Sequence, residues 1–111
     1  MKFEGSFAEL NPLAEEFERS AVKAQKLIQH LEKEGKPVST QNRYALKNKN
    51  PRVLYNSLNK QHYLLGNALD LVTRFLELVK DQGRTYSQGE ICTEIKRLRQ
   101  EIRRDMDELE R

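Results

Sequence analysis

Two histidines, one cysteine, a run of carboxylates near the C-terminus and five glycines are the residues from which a reactive site would be assembled in this chain. His30 and Glu34 stand four apart, a spacing that places two metal ligands on one helix face. On an exposed face the same spacing usually makes only a weak side-chain pair. His62 lies far from both, and no Glu-x-x-His pair is present from which a helical bundle would build a di-iron site. Cys92 is alone, which rules out an intrachain disulfide and the usual zinc spacings. A thiol without a base or second sulfur beside it reads as packing. Glycines at 5, 35, 66, 83 and 89 are too scattered for a phosphate loop or dinucleotide fingerprint, and no Gly-x-Ser-x-Gly elbow occurs. The acids Asp105, Asp107, Glu108 and Glu110 interleave with arginines. Arg103 with Asp107, Arg104 with Glu108 and Arg97 with Glu101 stand four residues apart, so internal pairing is expected rather than divalent-ion binding. These patterns predict no enzyme active site, no metal and no cofactor.

Binding chemistry is concentrated elsewhere. From Gly35 to Leu69 there is no Asp or Glu, although 17 acids occupy the remainder of the 111 residues. The same stretch holds Lys36, Arg43, Lys47, Lys49, Arg52 and Lys60, with Tyr44, Tyr55, Tyr63 and six asparagines among them. The flanking thirds each carry slightly more acid than base, so the net charge of +3 arises in the centre. Such segregation steers acidic partners or phosphates toward one region. Arg52 falls in the first turn of a helix expected to start at Pro51, where the helix dipole disfavours a cation by about 0.3–1 kcal/mol. Stability alone would place an acid there. Free amides beside Lys and Arg make an anion site, with Asn50 withdrawing one donor if it caps the helix.

On a helical projection Arg52, Asn56, Tyr63, Asn67 and Arg74 form a strip beside the apolar arc, with Tyr55 and His62 toward its other edge. The candidate binding residues are Arg43, Tyr44, Lys47, Lys49, Arg52, Asn56, Lys60 and Tyr63. Two ligand classes fit them. One is another protein with an acidic surface, which makes the chain a non-catalytic adaptor or regulatory subunit. The alternative is RNA or single-stranded DNA, held by cations on phosphate and tyrosine on bases. No motif of a nucleic-acid module accompanies the basic segment, so the protein-binding reading comes first.

The elements that must position these residues are legible as helices. The expected fold is all-α, a single domain over residues 1–111 with three long antiparallel helices forming a bundle. Asn11-Pro12 gives a cap and a first-turn proline. The apolar series from Leu13 to Leu31 then predicts a helix over about 12–34, stopped by Gly35 and Pro37. Asn50-Pro51 repeats that start, and the series from Val53 to Val79 predicts a second helix over 51–82 before Gly83. Ser87-Gln88-Gly89-Glu90 reads as a capping box with Tyr86 and Ile91 as a hydrophobic staple. The third helix follows, its narrow seam formed by Ile91, Ile95, Leu98, Ile102, Met106 and Leu109. A short extra helix is expected in the 38–49 connection.

Helix 2 has an apolar arc of roughly 180°, wider than a coiled-coil seam, so it must be covered from two directions. Helices 1 and 3 of the same chain suffice. The other arrangement is a homo-oligomer in which the Leu64, Leu71 and Leu78 stripe meets a second copy. No stretch approaches the ~20 apolar residues of a membrane span and the start lacks a signal-peptide core, so a soluble cytoplasmic protein is expected.

Overall fold

Apolar residues at three- and four-residue intervals favour amphipathic helices, and burying those faces against one another is what holds such helices together in water. The computed structural model describes residues 2–38 and 51–110. A 3-10 helix at Gly5–Leu10 leads into α1 (Asn11–Glu34), followed by α2 (Pro51–Asp81) and α3 (Gln88–Glu110). No strand occurs among the described residues. The short helix expected in the 38–49 connection falls almost wholly outside them, as do Arg43, Tyr44, Lys47 and Lys49.

The chain is an all-α bundle in which α2 is the central element, with α1 and α3 both packed along it and meeting each other less extensively. One core cluster joins Leu10, Ala14 and Phe17 to Phe75 and Val79 and to Ile91 and Ile95. A second joins Ala24 and Leu31 to Leu64 and Leu65 and to Leu109. The start of α1 therefore meets the end of α2 and the start of α3, which makes successive helices antiparallel. Phe17 stacks on Phe75 with ring centroids 4.2 Å apart, and Phe3 meets Phe75 edge-on at 6.0 Å. Burying Ile91 and Ile95 fully contributes about 1.5–3 kcal/mol each. The Leu64, Leu71 and Leu78 stripe is occupied within the single chain. Leu64 and Leu78 are buried and Leu71 is half-buried against the first cluster.

Helix ends follow local chemistry, with two departures from expectation. Asn11 is the first residue of α1 rather than its cap, because the 3-10 turn runs straight into the helix. Its side chain instead accepts the Phe3 amide at 2.9 Å and donates to the Phe3 carbonyl at 3.0 Å. That pair of bonds holds a strap of chain across the end of the bundle, with Phe3 buried beneath it. At the other end of α1, Gly35 takes φ +63 and its amide donates to the Leu31 carbonyl at 3.0 Å, a left-handed stop that glycine adopts without steric cost. α2 stops at Asp81, one residue earlier than expected. Gln82 turns left-handed at φ 40, and its side-chain oxygen accepts the Glu4 amide at 3.1 Å. Gly83 follows at φ 84, where a Cβ would stand 2.8 Å from the Phe7 ring.

Asp81 then accepts the Thr85 amide at 3.0 Å and the Tyr86 amide at 3.2 Å, fixing the turn into α3. The capping box is formed as expected. The Ser87 amide donates to Glu90 at 3.3 Å and the Glu90 amide donates to Ser87 Oγ at 3.2 Å.

Candidate functional site

The fold divides the polar surface of α2 into a side tied to α3 and a side facing solvent. Lys60 Nζ lies 2.8 Å from Glu108 Oε1, Asn67 Nδ2 donates to Asp105 Oδ2 at 2.8 Å, and Arg74 Nε is 3.8 Å from Glu94 Oε1. These three positions on α2 are spaced by sevens while their partners descend α3, as antiparallel helices require. Burial pushes the Asp105 carboxyl above its ordinary value, against the opposing hydrogen bond from Asn67. Beside Glu94, the Arg97 guanidinium bonds the carboxylate and holds it below the usual range, although burial pulls the other way.

This ladder changes the reading of the polar strip. Asn67 and Arg74, placed by projection beside Arg52, Asn56 and Tyr63, are used to hold α2 against α3. Lys60 is also engaged, though its pair is solvent-exposed, and an exposed pair of this kind contributes about 0–1 kcal/mol. A carboxylate from the acid-bearing final third thus compensates one cation of the acid-free centre. Arg103 reaches across to Glu16 of α1 at 3.0 Å rather than to Asp107 of its own helix, and Arg99 joins it on that carboxylate at 3.1 Å. Partial burial raises the Glu16 pKa, but the bonds from the two arginines outweigh it and hold the carboxyl below its ordinary value. Arg97 does bridge Glu101 at 2.6 Å, the helical pair the spacing predicted.

What remains on the solvent side is a coherent face on the N-terminal half of α2. Tyr55 is 66% exposed and Tyr63 is 72% exposed, the largest values among the exposed large apolar residues. Arg52, Asn56 and Asn59 are exposed with them, and His62 is half-buried at the edge. Of the eight residues predicted to bind, the structure brings Arg52, Asn56, Lys60 and Tyr63 together on this half-helix. Arg52 is itself engaged in an interaction.

Sequence reasoning did not single out Asn59 or connect Gly66 with this surface. Tyr55, Asn59 and Tyr63 stand at four-residue intervals and therefore form one ridge, a regularity already present in the spacing. A Cβ at Gly66 would meet nothing beyond its own helix within 4 Å, so no close helix approach within the bundle depends on this glycine. It lies on the open side.

Gln61, beside this face, is a buried polar residue with a structural task. Its oxygen accepts the Val38 amide at 2.8 Å and its nitrogen donates to Ser57 Oγ at 3.1 Å, so the segment leaving α1 is fastened to α2. Cys92 is half-buried against the core. Among the described residues no group of three or more His, Cys, Asp or Glu is placed to hold a metal ion, and no helix is long and apolar enough to cross a membrane.

No protein-family model matches the chain, and neither does any curated protein or solved structure.

Proposed function

We propose that the chain is a non-catalytic docking protein, an adaptor or regulatory subunit that holds another protein against the solvent side of α2. The observation that carries this reading is the pair of tyrosines left 66% and 72% exposed on a half-helix that bears no acid. Tyr and Arg supply much of the energy of protein interfaces, because a rigid amphipathic ring or a planar cation gains contact area at small conformational cost. Asparagines between them offer both a donor and an acceptor. The broad apolar arc lends no support of its own, since the bundle already covers it. The face combines rings, amides and cations without pairing a nucleophile with a base, so recognition suits it better than reaction. A reducing compartment such as the cytoplasm suits the lone Cys92.

Affinity capture from native lysate tests the proposal. The wild-type chain retains a protein partner after nuclease treatment, and the double variant Tyr55→Ala/Tyr63→Ala loses it. Equal retention by both removes the reading.

The second reading, an RNA- or single-stranded-DNA-binding subunit, is favoured by the acid-free run with Lys47, Lys49 and Arg52 around the start of α2. It is weakened by the engagement of Lys60 with Glu108. It predicts binding that falls steeply with salt, because phosphate contacts release counterions, and that is abolished by Lys49→Glu/Arg52→Glu. Binding unchanged in that variant excludes it.

A further inference from the structure

Residues four apart on a helix form ridges, and two helices pack by setting the ridge of one into the groove between ridges of the other. On the solvent side of α2 the row Tyr55, Asn59, Tyr63 runs beside the row His62, Gly66, Asp70, and the groove between them opens where Gly66 has no side chain. No side chain and no other element of the bundle lies within 4 Å of where a Cβ would stand. A mid-helix glycine costs about 1 kcal/mol relative to alanine, and no contact of the bundle with this half-buried position calls for it.

On the far side of the tyrosine ridge lies the row Arg52, Asn56, Lys60. The charge along the groove is therefore graded, with cations toward the start of α2 and the first acid of the helix, Asp70, at the other end. The positive end of the helix dipole adds to that gradient.

From this geometry, and resting on the docking reading above, we infer that the partner presents an acidic amphipathic helix. Its ridge enters the groove between Tyr63 and Gly66 at the oblique crossing typical of four-residue ridges, about 50°. Its carboxylates lie toward Arg52 and Lys60, where one of them competes with Glu108 for the lysine. The solvent exposure of the Lys60–Glu108 pair keeps that exchange inexpensive.

The test is selection of a yeast-displayed library of randomised helical 20-residue peptides against the folded chain. The expected result is enrichment of peptides with net negative charge and an apolar or small-residue ridge. Their binding falls about tenfold or more with Tyr63→Ala, as for an interface anchor, and similarly with Gly66→Leu, which fills the groove. Gly66→Leu is expected to leave the bundle folded, because a Cβ there meets nothing beyond its own helix within 4 Å, and a circular-dichroism melt at or above the wild-type temperature, as the loss of a mid-helix glycine predicts, checks this. Val22→Ala, on the outer face of α1, serves as the control and changes nothing. Enriched peptides that lack acids, or that tolerate Gly66→Leu while losing Tyr63→Ala, overturn the acidic-helix inference but leave the docking face in place. Enriched peptides indifferent to Tyr63→Ala, or an RNA oligonucleotide as the ligand lost on Tyr63→Ala, overturn both.

Discussion

At the scale of single residues, what decides between structure and recognition is whether a side chain is used inside the bundle. Phe17 and Phe75 are used there, stacked face to face and nearly inaccessible, and Phe75→Ala is expected to cost about 3–5 kcal/mol in denaturant unfolding. Gly66 is not. Gly66→Ala should therefore raise stability by about 1 kcal/mol, read from the denaturation midpoint at constant m-value. Glu16 supplies a pH test. Its folded pKa is depressed below the unfolded value, so its contribution is present above about pH 4.5 and is lost as pH falls through the folded value. Glu16→Gln should lower the melting temperature near neutral pH and lose that difference in acid. A constant difference at every pH would mean that the carboxylate is not held by Arg99 and Arg103. The spacing of Phe17 and Phe75 marked them as core in the sequence, whereas Asn11 was mistaken for a cap. A side chain that bonds backwards to Phe3 cannot be told from a cap by residue type.

At the scale of elements, the boundaries set by glycine, proline and the capping box were legible, because their signals are local and each satisfies backbone groups nearby. Ser87→Ala should cost about 1 kcal/mol, measured by thermal or denaturant unfolding. The 3-10 strap was not legible. It has no apolar period of its own, and its polar fastenings, Gln82 to the Glu4 amide and Gln88 to the Ser6 carbonyl, come from 78 and 82 residues away. The ladder from α2 to α3 was hidden for a similar reason. Arg103 and Glu108 each had a plausible partner four residues along their own helix, and only tertiary packing brought them to Glu16 and Lys60. The polar strip read from projection was thus partly an interhelical seam, and the surviving candidate face shifted toward Tyr55, Asn59 and Tyr63.

At the scale of the whole molecule, α2 is covered from two sides by its own chain, which answers the breadth of its apolar arc without a second copy. Across a concentration series, sedimentation should return the mass of a single chain, while a mass that doubles would show a self-association surface. The elongated shape, 55 × 22 × 19 Å, leaves one long side of α2 in water, and its acid-free half is where the argument for a partner is concentrated. The most direct measurement replaces Tyr63, and separately Val22, with a photoreactive benzoylphenylalanine and irradiates each chain in native lysate. Crosslinks to a polypeptide from position 63 and none from position 22 are the predicted result. Equal yields at the two positions, or capture at 22 alone, would contradict the assignment of the α2 face as the docking surface.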